Sequence, residues 1–135
     1  MKINVKYPET RLRRVRNSDW VRRLVSENNL SNNDLILPIF LKEGKNKVEE
    51  IKSMPGVNRY SIDKLGLIID KALKFRLPMI ALFPHTPERK KNKIGSEALN
   101  ENNLVCEALI KIKKKYNDIG VMCDVALDPY TSHGH

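Results

Sequence analysis

Between Asp124 and His135 the sequence reads DVALDPYTSHGH, which sets two carboxylates four positions apart ahead of an H-x-H pair. A carboxylate on a rigid mount can pair with an ammonium group or assist proton transfer, and imidazoles can ligate a metal. The competing readings are plain. Two histidines in a glycine-containing loop are a weak ligand signal, and Asp128 before Pro129 serves equally well as a turn cap. Ser132 and Tyr130 have no recognisable activating base nearby in sequence. Cys106 and Cys123 offer neither a disulfide framework nor a C-x-x-C pair and read as packing residues. There is no G-x-G-x-x-G after a strand, no G-x-x-x-x-G-K-[ST], no G-x-S-x-G and no H-E-x-x-H. Dinucleotide, P-loop, serine-hydrolase and common zinc-protease chemistry therefore have no sequence support.

A mount is predicted just upstream. The apolar run Val121–Leu127 reads as a buried strand, with the polar cluster at its carboxyl end, where α/β enzymes place catalytic groups. Leu35–Leu41 and Met79–Phe83 read as two earlier strands, although Pro38 removes a ladder donor and signals an edge or a bulge. Between them, Ser61 is placed to cap a helix whose Leu65, Ile68, Ile69 and Ala72 form one apolar face. Val105, Ala108, Leu109 and Ile112 repeat that spacing. Gly44–Asn58 and Pro84–Asn100 read as loops. Before all this, residues 1–16 lack periodicity and read as an extended arm. A helix follows, with Ser18 as N-cap, Trp20, Val21, Leu24 and Val25 as a stripe, and Asn28-Asn29 as its end. The β-α-β-α-β order predicts parallel strands joined by right-handed crossovers, either the beginning of a barrel or a small open α/β sheet.

The formal charge of +9 invites a nucleic-acid reading, yet the basic residues fall in three separate places. Lys111–Lys115 ends a helix, where cations complement the helix dipole without any ligand. The arginine-rich stretch Arg11–Arg16 fits a phosphate site, a solvated tail or a docking arm for a neighbouring subunit. With 41% hydrophobic and 30% charged residues the chain is too apolar to be disordered. No apolar run approaches the ~20 residues that span a bilayer, and Met1–Lys6 lacks the apolar core of a signal peptide, so a cytoplasmic location is expected.

DVALDPYTSHGH closely resembles the metal-loop signature of the porphobilinogen synthases, also called 5-aminolevulinate dehydratases. Further blocks follow the order of that family: RLRRVR at 11–16 resembles its arginine-rich arm and DLILPIF at 34–40 its first barrel strand. SMPGV at 53–57, ALFP at 81–84 and GSEA at 95–98 complete the set. The resemblance implies an α/β fold, the N-terminal part of a TIM (β/α)8 barrel with an extended N-terminal arm. Residues 1–30 would be the arm and short helix, and residues 31–135 the first three strands and two intervening helices. The barrel is incomplete in this chain, since a closed one takes roughly 250 residues.

The resemblance further implies that Asp124 is the active-site aspartate and that Arg11, Arg13 and Arg14 help build a homo-oligomer, an octamer in the family. Zinc-dependent relatives carry three cysteines in the metal loop. Here Ala126 and Asp128 hold the first two positions and the third falls one residue past His135. A methyl group cannot ligate and a carboxylate prefers hard cations, so zinc is disfavoured and Mg2+ or a monovalent cation is expected, with Asp128 and His135 as candidate ligands. The implied reaction joins two molecules of 5-aminolevulinate into porphobilinogen, the pyrrole precursor of haem, through Schiff-base lysines. In the family these lie on later strands, and none of the lysines here matches them. Alone, then, this chain is expected to be inactive, and with open sheet edges and an uncovered apolar face, poorly soluble. Two alternatives are a small basic α/β module that binds nucleic acid through the arginine arm and a regulatory form that joins longer subunits. The family reading implies neither nucleic-acid nor membrane partners.

Overall fold

The computed structural model describes residues 6–10 and 13–134, in a chain that divides into two compact units, Met1–Leu30 and Ser31–His135. In the first unit the Thr10 amide closes a turn on the Lys6 carbonyl at 2.8 Å, a 3-10 turn spans Arg14–Arg16 and helix α1 spans Asp19–Leu24. The described part of the arm is thus built of turns rather than uniformly extended chain, held by local backbone bonds that leave no hydrophobic period. Helix α1 starts after Ser18 as expected, but the Ser18 hydroxyl makes no capping bond. Asp19 pairs instead with Arg22 and Arg23 at 3.5 and 3.2 Å. The predicted stripe is largely uncovered, with Trp20 64% and Leu24 77% exposed.

The second unit is a five-stranded sheet in the order β2-β3-β1-β4-β5. Strands β1 (Ile36–Lys42), β4 (Met79–His85) and β5 (Gly120–Cys123) run parallel, linked through α2 (Leu65–Lys74) and α3 (Leu104–Lys115). Between β1 and α2, β3 (Asn58–Tyr60) pairs parallel to β1, and β2 (Val48–Glu50) pairs antiparallel to β3. Ile39, Leu41, Ile80 and Leu82 from the sheet meet Leu65, Ile69 and Ala72 of α2 and Val105, Ala108 and Ile112 of α3 in one buried core. Each such large aliphatic side chain contributes about 1.5–3 kcal/mol by leaving water. Strand alternation sends the intervening residues to the opposite face, where the Phe40 and Phe83 rings lie 5.7 Å apart.

Both helical faces are as their periodicity predicts, but several boundaries differ. The segment 44–58 is not simply a loop, because it contains β2 and the first residue of β3. Strands β1 and β4 run on to Lys42 and His85. Strand β5 stops at Cys123 instead of Leu127, and Val125 is 96% exposed. A ladder carried past Cys123 along β4 would reach Pro84, which has no N–H to give. Pro38 is tolerated in β1 because β3 reaches that strand only at Phe40 and Leu41, leaving one flank without a ladder at Pro38.

Candidate active site at the strand carboxyl ends

Parallel strands put their carboxyl ends on one side, and the loops that leave β1, β4 and β5 are joined there by side chains distant in sequence. The Lys90 ammonium bridges Glu43, just past β1, and Glu97, both at 2.8 Å, and Arg89 also pairs with Glu43. The hydrogen bonds from Lys90 hold both carboxyls below their usual range, and the two carboxylates, Glu43 first, raise Lys90.

A second tie joins the loop after β4 to the loop after β5. The Asn92 amide donates to the Tyr130 carbonyl at 3.2 Å, and the Ser132 amide donates to the Asn92 carbonyl at 3.0 Å, forming a bridge that brackets Thr131. The Asn92 side-chain oxygen accepts the amides of Ile94 and Ser96 at 3.2 and 3.1 Å, and its NH2 group donates to the Ser96 hydroxyl. His133 contacts the Lys93 carbonyl through Nε2 at 3.2 Å. Tyr130 and Thr131 are 7% and 5% exposed, so this loop is anchored even though its carboxylates face water.

Asp124 follows β5 directly rather than lying within a strand, and it is exposed. It lines a cavity of about 220 Å³ with Asn103, Cys106, Leu109, Cys123, Ala126 and Tyr130. Among the described residues its carboxylate has no hydrogen-bond or ion-pair partner. Burial, reinforced by Cys106, raises the Cys123 thiol. Burial also raises the Tyr130 phenol, with Cys106, Glu97, Cys123 and Asp124 adding to it. Both groups therefore remain protonated at neutral pH.

Asp128 opens the 3-10 turn Asp128–Tyr130, is exposed, and contributes its backbone carbonyl to the Thr131 hydroxyl at 3.3 Å. Asp124 and Asp128 share one loop. His135 and Arg11 lie outside the described residues, and Arg13 and Arg14 are exposed at the start of the Arg14–Arg16 turn of the first unit. Among the described residues no group of three or more His, Cys, Asp and Glu side chains is placed to hold a metal ion. Ala126 has no donor and Asp128 supplies a lone carboxylate, so these residues do not by themselves form a cation cage.

Sequence reasoning missed several members of this end of the sheet. Lys42 ends β1, where a strand lysine was not expected, but it is ion-paired with Glu49. Lys42, Gly44, Lys47, His85 and Arg89 line a cavity of about 300 Å³, and burial followed by the charges of Arg59, Lys42 and Lys91 lowers the His85 imidazole. Asn103 is 5% exposed and accepts the Val105 and Cys106 amides at 3.0 Å each, which caps α3. Its signal was present, an asparagine immediately before an apolar-periodic run. Lys90 and Asn92 had no such signal, because their partners lie in other loops.

A family profile described as delta-aminolevulinic acid dehydratase matches residues 9–135, nearly the whole chain. The chain belongs to the delta-aminolevulinic acid dehydratase family. It is 54% identical over 125 residues to the delta-aminolevulinic acid dehydratase of Bradyrhizobium diazoefficiens, covering 93% of this chain and 35% of that protein. To the Chlamydia pneumoniae dehydratase it is 42% identical, with 93% and 38% covered. A crystal structure of the Toxoplasma gondii dehydratase, also called porphobilinogen synthase, solved with its product porphobilinogen, matches with a TM-score of 0.80 at 34% identity. That match covers 93% of this chain and 36% of the solved one. The sheet and helices described above are thus the N-terminal part of a dehydratase (β/α)8 barrel, and the chain spans only about a third of such a protein. No helix among the described residues is long and apolar enough to cross a membrane.

Proposed function

We propose that the polypeptide carrying this chain condenses two molecules of 5-aminolevulinate to porphobilinogen, with loss of two waters, in tetrapyrrole synthesis. The observation that carries this reading is the unengaged carboxylate of Asp124 at the carboxyl end of a parallel strand, in a chain matched to one family over residues 9–135. Asp124 orients or neutralises a substrate ammonium and assists proton transfer, work suited to a carboxylate on a rigid strand end. The Schiff-base lysines come from outside this chain, and Lys42, paired to Glu49, is not one of them. Residues 1–135 alone are inactive.

The cation that supports the reaction is Mg2+ or a monovalent ion, in contact with Asp128 and His135. The support is donor chemistry: Ala126 offers no ligand and Asp128 a hard oxygen, neither of them a thiolate. Arg11, Arg13 and Arg14 dock on a neighbouring subunit of a homo-oligomer, an octamer by family likeness, and the enzyme works in the cytoplasm. Dispersal of the basic residues over three separate places speaks against the nucleic-acid alternative.

Assay of the full polypeptide for porphobilinogen formation from 5-aminolevulinate tests this reading. Activity is expected with magnesium and without added zinc, and Asp124→Asn is expected to lower kcat by about 100-fold or more. An inactive wild type, or an unaffected Asp124→Asn, overturns it.

A further inference from the structure

The proposed catalytic carboxylate stands on a loop held from outside, and one residue of the preceding loop does the holding. Asn92 takes part in six hydrogen bonds, three through its backbone to Tyr130, Ser132 and Gly95 and three through its side chain within the turn 92–96. The two sets depend on each other. The side chain folds 92–96 into a closed turn, and Gly95 in that turn has φ +63°. A Cβ at Gly95 would lie 3.4 Å from the Thr131 methyl and 3.7 Å from the Leu127 carbonyl, so the turn packs directly on the loop that carries Asp124 and Asp128. Lys90, two residues earlier, anchors the same segment to Glu43 beyond β1.

We infer that Asn92 is a positioning residue for the reaction: it sets the 124–132 loop, and through it Asp124, without touching substrate. This rests on the functional reading above. Asparagine suits the post because its side chain accepts two amides and donates to Ser96 at once. Aspartate keeps the acceptor and loses the donor, whereas alanine loses both. A carboxylate displaced by about 1 Å costs up to 100-fold in turnover while leaving most binding contacts in place.

The test uses the full polypeptide. Asn92→Ala is expected to lower kcat at least about tenfold with KM changed less than about twofold, and Asn92→Asp to recover most of the loss. In the same alanine variant, exchange of the Ser132 amide with solvent is expected to accelerate about tenfold or more, a readout that needs no catalysis. Unchanged Ser132 exchange, or unchanged kcat in an active enzyme, overturns the role of Asn92. So does a loss that appears equally in KM and that aspartate does not relieve. A wild type that makes no porphobilinogen overturns the functional reading, while the exchange measurement still decides whether Asn92 holds the loop.

Discussion

Lys90 shows how much one side chain can do when it ties its own loop to the loop after β1. Its two carboxylate partners are held below their ordinary range, so their stabilising contribution is fully present above about pH 4.5 and is lost as pH falls through their lowered values. Lys90 itself is raised, so its contribution is present below about pH 10.4 and is lost as pH climbs through its folded value. The pairs are partly exposed, and Lys90→Met is therefore expected to cost only about 1 kcal/mol at pH 7. Melting curves of wild type and variant should converge as pH falls through the lowered values of Glu43 and Glu97. A gap that persists in acid would assign the cost to packing instead. None of this network was readable along the chain, since Glu43 and Lys90 are 47 positions apart and neither sits in a motif. Asp124 could be singled out as a candidate because it stands in a dense local pattern, whereas Asn103 left a local capping signal that was passed over.

Periodicity served where burial is one-sided. The faces of α2 and α3 follow their 3.6-residue spacing onto the sheet, with Leu65, Ile69, Ala72, Val105, Ala108 and Ile112 buried and Ile68 and Leu109 half-buried. It failed where no face is buried: Val48–Glu50 is exposed throughout and Asn58–Tyr60 only half-buried, so neither strand of the hairpin leaves an apolar alternation. It overshot at Val125–Leu127, where apolar residues continue past the last ladder bond. The hairpin is fastened by Ser61, fully buried, whose hydroxyl accepts the Lys47 amide at 2.9 Å and lies 2.7 Å from Asp63. Sequence reading placed Ser61 as a cap for the helix. It does precede the 3-10 turn that leads into α2, but it makes no side-chain cap bond there and braces the hairpin instead. Ser61→Ala leaves the Lys47 amide without that acceptor and is expected to cost about 1–2 kcal/mol. A lower denaturant midpoint at unchanged slope would show it.

For the molecule as a whole, the barrel class followed from strand and helix order together with matched blocks. The choice between a barrel and a small open sheet needed more than periodicity, because a parallel β-α-β-α-β stretch looks alike in both. The first unit, Met1–Leu30, is a separate compact body with an exposed apolar stripe and exposed arginines. If it serves assembly, replacing Arg11, Arg13 and Arg14 by alanine shifts the full polypeptide toward smaller species in sedimentation while its circular dichroism stays the same. An unaltered sedimentation profile would remove these arginines from assembly.

The turn at 92–96 carries one more consequence, for descent rather than mechanism. A surface connection between a strand and a helix ordinarily drifts in length, gaining and losing residues at little cost. Here Asn92 is closed on Ser96 by its own side chain and on Tyr130 and Ser132 by its backbone. One inserted or deleted residue between 92 and 96 would release both closures together. This short stretch therefore behaves as a counted interval, in which a length change is expected to be tolerated less well than in the parts of the loop on either side of it.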